Sequence, residues 1–226
     1  MNKKVILNEQ DDKRQEIITY MKEFSKITPL TSGNFSILSE KRDKLFIKPS
    51  GVYMEEICLD DISVVDISGK LISGLRPSVD TNIHLSVYKA NNKINSIAHV
   101  HSEYAVITSV LFAVIPVITT FHADHFGKEI KIIDWSDLSI LANTLAEYSK
   151  NESAVLLKQH GLFAWGSNLS ETYNNIFAAE ECCKIFYKTT LSSIDTKKIL
   201  TLDKSKILMH NLRFQKLYGN STKVTA

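Results

Sequence analysis

The run from Tyr104 to Phe121 contains 18 residues and no charged side chain, and it limits the folds that the chain can adopt. Its length is close to that of the shortest membrane-spanning helix. However, it includes several hydroxyl side chains and Pro116, which would break a helix in its last turns. We therefore predict a buried helix that runs into a buried strand of a soluble protein, with no membrane partner.

Charge and cysteine content narrow the class of protein. The start of the chain, MNKKVILNEQDDKRQ, becomes charged before a long apolar segment forms, so we predict no signal peptide. The chain has 27 Lys and Arg residues against 25 Asp and Glu residues, a balance that argues against nucleic acid as a partner. Three cysteines do not form a disulfide framework and indicate a reducing compartment, so we expect a cytoplasmic protein.

Strand-like and helix-like segments follow one another without strict alternation, which is typical of a mixed α/β fold. Short apolar runs predict strands at 35–38, 44–48, 63–67, 94–101, 115–120, 131–134 and 154–158. Helical spacing predicts helices at 12–26, 82–90, 103–112, 136–148, 170–188 and 204–218. Ser102 and Ser136 are candidate helix caps. Because no repeat or linker is visible, we expect one domain over residues 1–226.

His99 and His101 are separated by one residue within a strand-like segment. Alternate side chains of a strand share one face, so both imidazoles project the same way and can bind one metal ion. Two hydrogen-bonded histidines without a metal are the alternative, because this motif alone is weak. The flanking residues are apolar, so unpaired ring nitrogens would cost several kcal/mol, and something should bind them.

A metal site of the catalytic type needs a third ligand. His160 is the best candidate, because it follows a buried strand and precedes Gly161, which suits a sharp turn. The alternative is a core histidine with one hydrogen-bond partner, and His122 and His125 are rival ligands. Three neutral imidazoles with open coordination positions are typical of a catalytic zinc site.

Several turns carry groups that suit an anion. Backbone N–H groups at turns and helix N-termini bind phosphate well, particularly beside a lysine. Such groups occur in the segments Gly33-Asn34, Lys48-Pro49-Ser50-Gly51 and Pro77-Ser78. Each segment alone is more often an ordinary turn, and only their convergence would form a site.

Two carboxylates lie near these motifs. Asp80 could simply cap the helix that follows it, and this interpretation competes with a functional one. Asp124 lies between two histidines and could orient an imidazole. Either side chain could also act as an acid or a base.

Seven motifs of the chain, taken in order, resemble the L-ribulose-5-phosphate 4-epimerase and class II sugar-phosphate aldolase family. The motifs are SGNFS, IKPSG, PSVDTNIH, HVHS, HADHFG, QHGLFAWG and a late Tyr-Gly. The resemblance covers nearly the whole chain. It implies a three-layer αβα sandwich with a central, largely antiparallel sheet, and a homotetramer with its sites at subunit interfaces.

The resemblance also implies roles for particular residues. The metal ligands would be His99, His101 and His160, holding one divalent ion per subunit: Zn2+, with Mn2+ or Co2+ as alternatives. The residues that match the substrate and phosphate pocket are Asn34, Lys48, Ser50, Gly51, Ser78 and Thr120. Val79 stands where the family has a second phosphate-binding serine.

The epimerase branch of the family is the closer match. Asp80 followed by Thr81, the run Thr120 to Asp124 and the late Tyr218 all resemble that branch. The branch assigns acid/base roles to Asp124 and Tyr218, supplied by the neighbouring subunit, and we include Asp80 among the catalytic candidates.

The resemblance implies an enzyme that interconverts L-ribulose 5-phosphate and D-xylulose 5-phosphate by retro-aldol cleavage, with the metal as a Lewis acid. The alternatives are a class II aldolase of the fuculose- or rhamnulose-phosphate type and a sugar-phosphate dehydratase. A non-catalytic scaffold of the same fold is a further alternative, although a scaffold has no need of three metal-type histidines.

Overall fold

The computed structural model describes residues 9–28, 30–135, 137–192 and 199–217. Tyr218 and Ser136, which the sequence nominates as an acid/base group and a helix cap, lie outside the described residues.

The strands form one nine-stranded sheet in the order β4-β3-β2-β1-β5-β9-β8-β7-β6. Their bounds are β1 Asn34–Leu38, β2 Lys44–Ile47, β3 Ser63–Asp66, β4 Leu71–Ser73, β5 Ser96–Val100, β6 Val114–Ile115, β7 Ile130–Ile133, β8 Ala154–Leu157 and β9 Gly161–Gly166. Only β7 and β8 pair in parallel among these strands. The prediction of a largely antiparallel central sheet is therefore confirmed.

Helices cover both faces of the sheet. Their bounds are α1 Glu9–Phe24, α2 Thr81–Ala90, α3 Glu103–Leu111, α4 Thr120–Phe126, α5 Leu138–Tyr148, α6 Leu169–Ser192 and α7 Lys204–Leu217. One apolar core joins α1, α3 and α6 to the sheet, and a second core on the opposite face joins α2 and α5 to it. The predicted three-layer α/β architecture is confirmed, and α4 packs against α7 beside it.

The uncharged run differs in part from its prediction. Its first half is α3, as expected, but Val110 and Leu111 are 53% and 56% exposed, so the helix is not buried throughout. The predicted strand at 115–120 is wrong beyond Ile115. The Thr119 hydroxyl accepts a hydrogen bond from the backbone N–H of His122, and this cap begins helix α4 at Thr120 instead. No helix among the described residues is long and apolar enough to cross a membrane.

One predicted cap is corrected, and helix α5 has a cap that the sequence did not nominate. Helix α5 begins at Leu138, where the Asp137 carboxylate accepts hydrogen bonds from the backbone N–H groups of Ser139 and Ile140. Ser102 lies at the N-cap of α3, yet its hydroxyl makes no capping bond there and donates instead to Glu180 of α6.

Candidate metal centre

Two neighbouring strands bring the three predicted ligands together. His99 lies in β5 and pairs with Phe163 of β9, while His101 follows the end of β5. His160 lies in the three-residue connection between β8 and β9, where its backbone N–H donates to the Leu157 carbonyl at 3.1 Å. Sequence positions about 60 residues apart thus meet where β5 ends and β9 begins, in the middle of the sheet.

The imidazole Nε2 atoms have the spacing of a metal site. His160 Nε2 lies 3.2 Å from His99 Nε2 and 3.4 Å from His101 Nε2. Tetrahedral zinc at the usual Zn–N distance of about 2.0–2.1 Å separates its nitrogen ligands by about 3.3 Å. The ligand atoms all lie within 4.8 Å of one another, so the three side chains fit one divalent ion.

The protonation state of the histidines also suits a metal. The carbonyl oxygen of Leu162 can only accept a hydrogen bond, so its 3.1 Å contact with His99 Nδ1 places the ring proton on Nδ1 and leaves Nε2 unprotonated. Burial lowers the pKa of His99 well below its usual range and lowers the pKa of His101 to about 4. Burial lowers the pKa of His160 as well. Neutral imidazoles are the form that binds a metal.

Close packing fixes the positions of these rings. The His99 ring stacks on Phe163, with ring centroids 4.1 Å apart and an angle of 10° between the planes. A Cβ at Gly161 would lie 2.5 Å from the Val100 carbonyl oxygen and 3.0 Å from Cδ2 of His101, so only glycine fits at this position. Trp135 lies against the His160 ring, with centroids 4.8 Å apart.

A cavity of about 430 Å³ opens beside the three histidines. Its lining includes six of the residues that the sequence nominates: Asn34, Lys48, Ser50, Gly51, Ser78 and Asp80. The three turn segments therefore converge on one cavity. The bridge between Pro49 and Pro77 and the hydrogen bond from Ser50 N–H to the Arg76 carbonyl hold two of these segments together.

Lys48 is the buried cation of this cavity. Its side chain is 1% exposed, and its Nζ donates to the carbonyl oxygens of Thr31 at 3.1 Å and Pro49 at 3.2 Å. Burial lowers the pKa of Lys48 to about 8, and no carboxylate of the described residues pairs with it to offset the lost hydration. A buried ammonium with this environment gains from an added anion.

Asp80 does not act as a helix cap. It lies at the N-cap of α2 but makes no side-chain capping bond, and its Oδ2 accepts a 2.7 Å hydrogen bond from Asn34 Nδ2. The competing interpretation from the sequence is therefore wrong. Burial raises the pKa of Asp80, which makes this carboxyl a better proton carrier near neutral pH. Asn34 Oδ1 is buried and has no hydrogen-bond partner among the described residues, while the amide N–H of Asn34 donates to Asp80.

The remaining predicted residues lie elsewhere in the chain. Thr120 and Asp124 belong to α4 and do not line this cavity. Asp124 does orient an imidazole, but that of His210 on α7, whose Nδ1 lies 3.1 Å from Asp124 Oδ1. The rival ligands His122 and His125 are not part of the cluster, since their ring nitrogens contact backbone carbonyls.

Several residues near the site were not predicted from the sequence. Trp135 and Phe163 pack against metal-type histidines, and Glu180 contacts the segment that follows His101. Trp135 precedes a helix, Phe163 lies in a strand and Glu180 lies on a helix. Residues of these types are common at such positions, so no local sequence signal marks these three as part of a site.

Comparison with known proteins decides the family. The model of the class II aldolase and adducin N-terminal domain matches residues 15–187. This chain belongs to that family. The resemblance inferred from the seven motifs is confirmed.

One class II relative is the L-ribulose-5-phosphate 4-epimerase UlaF of Salmonella paratyphi C (strain RKS4594). It is 31% identical over 173 residues, which is 70% of this chain and 76% of that protein. Among solved structures, an L-fuculose 1-phosphate aldolase has a TM-score of 0.82 and 29% identity, covering 90% of this chain and 96% of its own. YgbL from Escherichia coli has a TM-score of 0.80 at 23% identity, covers 89% of this chain and 99% of its own, and supports the fold alone.

Proposed function

We propose that the chain is a divalent-metal-dependent epimerase that interconverts L-ribulose 5-phosphate and D-xylulose 5-phosphate. The observation that carries the proposal is the convergence of three imidazole Nε2 atoms beside a cavity that contains a buried lysine. The similarity to an L-ribulose-5-phosphate 4-epimerase supports the choice of substrate.

The reaction inverts a carbon whose hydrogen is not acidic, so proton abstraction from that carbon does not suffice. In the proposed route a base takes the proton of the C4 hydroxyl, and the C3–C4 bond breaks to give glycolaldehyde phosphate and the enediolate of dihydroxyacetone. The aldehyde turns, the bond re-forms on its other face, and the C4 oxygen regains a proton. A divalent ion held by the three histidines would supply Lewis-acid stabilisation of negative charge on oxygen.

The chain's own residues hold the anionic end of the substrate. Lys48, the Ser50 and Ser78 hydroxyls and the backbone N–H groups around Gly51 would bind the phosphate. Val79 is 62% exposed at the cavity and offers no hydroxyl, so this pocket has one donor fewer than a pocket with serine there. Lys48 therefore carries more of the phosphate binding.

Asp80 would carry a proton at the metal side of the site. The Asn34 amide donates a hydrogen bond to Oδ2 of Asp80, which leaves Oδ1 to contact the substrate. The raised pKa of Asp80 suits a group that both takes and returns a proton.

A second set of proton-transfer groups must act on the opposite face of the aldehyde. We propose that Thr120, Asp124 and Tyr218 from a neighbouring copy complete the site, in a cytoplasmic homotetramer whose subunits are each one domain over residues 1–226. This proposal explains why Thr120 and Asp124 do not line the cavity of their own chain.

The second candidate function is a class II aldolase that releases the aldehyde after the same cleavage. The similarity to L-fuculose 1-phosphate aldolase over 90% of this chain favours it. Product analysis separates the two functions. Incubation of metal-loaded protein with L-ribulose 5-phosphate should give xylulose 5-phosphate without free aldehyde.

Accumulation of glycolaldehyde phosphate would favour the aldolase, and no turnover of the pentulose phosphate would exclude the epimerase. A parallel assay with deoxyhexulose 1-phosphates would then identify the aldolase substrate.

The metal content of the protein separates both enzyme candidates from a non-catalytic scaffold. Loss of bound metal in His160→Ala is expected for an enzyme, and little metal in the wild type would favour the scaffold.

A further inference from the structure

The three histidines of the candidate metal centre are held in their orientations in different ways. His99 has a hydrogen bond from Nδ1 to the Leu162 carbonyl, and its ring stacks on Phe163. His101 has no such support, because its buried Nδ1 has no hydrogen-bond partner in the part of the chain that the structure describes. A metal-binding histidine is normally oriented by an acceptor at its second nitrogen. The position of His101 must therefore be fixed in another way.

The backbone around His101 is held from both sides by side chains distant in sequence. The backbone N–H of His101 donates to Thr28 Oγ1 at 3.0 Å. Immediately after His101, the Glu180 carboxylate accepts three hydrogen bonds: from the Ser102 hydroxyl at 2.7 Å, from Tyr104 N–H at 2.8 Å and from Ala105 N–H at 2.9 Å.

These bonds replace the missing cap of helix α3. The first backbone N–H groups of a helix need acceptors, and Ser102 does not provide one. A carboxylate at this end also interacts favourably with the helix dipole, and charge-assisted hydrogen bonds are stronger than neutral ones. Glu180 thus fixes the first turn of α3 and its N-cap residue, Ser102. Because His101 directly precedes Ser102, its backbone is fixed as well.

We propose that Glu180 is a positioning residue of the metal centre, which holds His101 in place through the backbone because the imidazole lacks an acceptor of its own. The inference rests on the proposed metal-dependent function. It assigns Glu180 no contact with the metal or with the substrate.

The variant Glu180→Gln tests this role at nearly constant side-chain volume. Both carboxylate oxygens accept from N–H or O–H donors, so the amide NH2 group of glutamine would face a donor. Glu181→Gln is the matched control. Glu181 is the next residue of α6, carries the same charge, and pairs with Lys184 of the same helix at 2.8 Å.

The measurement is the affinity of metal-free protein for Zn2+, by competition with a chelating dye, together with the absorption spectrum of the Co2+ form. Thermal unfolding of each metal-free protein is recorded in parallel. We expect Glu180→Gln to weaken Zn2+ binding by about tenfold or more and to alter the Co2+ spectrum. Glu181→Gln should match the wild type in both measurements.

If Glu180→Gln unfolds at a lower temperature but binds Zn2+ as tightly as the wild type, Glu180 is only a helix cap and the inference is overturned. If Glu180→Gln does not fold, Ser102→Ala replaces it, since it removes one of the three donors. We expect Ser102→Ala to weaken Zn2+ binding about threefold, and wild-type affinity in this variant overturns the inference. A wild type that binds neither Zn2+ nor Co2+ overturns the proposed function itself, which distinguishes the two failures.

Discussion

Gly161→Ala is the substitution that most sharply links the packing of the sheet to the metal centre. Gly161 begins β9, directly after His160, and pairs with Leu157 of β8. An alanine Cβ would lie 2.5 Å from the Val100 carbonyl oxygen, 3.0 Å from His101 Cδ2 and 3.2 Å from His99 Cε1. One added methyl group would therefore press on two of the three histidines at once.

The size of the effect follows from these distances. Real Cβ contacts essentially never fall below 3.0 Å, so the Val100 contact at 2.5 Å requires a shift of at least 0.5 Å. Metal–ligand distances tolerate only about 0.2 Å. Overpacking of this kind costs about 1–3 kcal/mol of folding free energy. We expect a loss of that size in stability, and a loss of about 10–100-fold in Zn2+ affinity.

The assay is urea unfolding of the metal-free protein, combined with Zn2+ titration of the folded variant. Gly69→Ala is the control, because Gly69 has φ +89 in the turn between β3 and β4 and an added Cβ there makes only ordinary contacts. It should cost about 1–2 kcal/mol of stability through backbone strain and leave Zn2+ affinity unchanged. Unaltered Zn2+ affinity in Gly161→Ala would refute the packing argument.

Three further predictions concern the reaction. Asp80→Asn should retain the metal but lower kcat about 10²–10⁴-fold, as steady-state kinetics and metal analysis would show; undiminished kcat would remove Asp80 from the proton transfers. The second prediction concerns the binding of inorganic phosphate to the metal-free protein, measured by calorimetry. Binding should weaken as the pH rises through about 8, because burial lowers the pKa of Lys48 to about 8 and the side chain loses its positive charge above that pH. Lys48→Met should bind weakly with no such pH dependence, and a pH-independent wild type would contradict the assignment. Asp124→Asn should keep its metal and lose most epimerisation, whereas loss of metal would make Asp124 a structural residue.

Local sequence signals were sufficient to nominate the three histidines that the structure brings together in one cluster. The two-residue spacing of His99 and His101 fixes their common face within a strand. A histidine before Gly161 indicates a tight turn, and the structure places His160 in such a turn. The order of motifs then identified the family, because seven short matches along one chain are specific together.

Elements with weak local patterns were missed. Strand β9 is apolar along its whole length, since helices cover both faces of the sheet, and it therefore lacks the alternation that marks a strand. Strand β4 has three residues, and helix α4 has seven and follows Pro116 closely, so neither has a pattern long enough to recognise.

Contacts between distant segments were beyond the reach of sequence reasoning. The register of β1 against β5 brings Asn34 opposite His99, and the hydrogen bond from Asn34 to Asp80 spans 46 positions. Glu180 lies 78 positions from Ser102. Such pairs depend on strand order and helix packing, which no short motif encodes.

The metal stoichiometry of the folded protein tests the central claim most directly. Metal-free protein is mixed with excess Zn2+, freed of unbound metal by gel filtration, and analysed for zinc by elemental mass spectrometry beside His160→Ala. We predict about one zinc ion per wild-type chain and almost none in the variant, because two imidazoles do not retain the ion through gel filtration. Equal zinc content in the two proteins, or none in the wild type, would contradict a metal centre at these histidines.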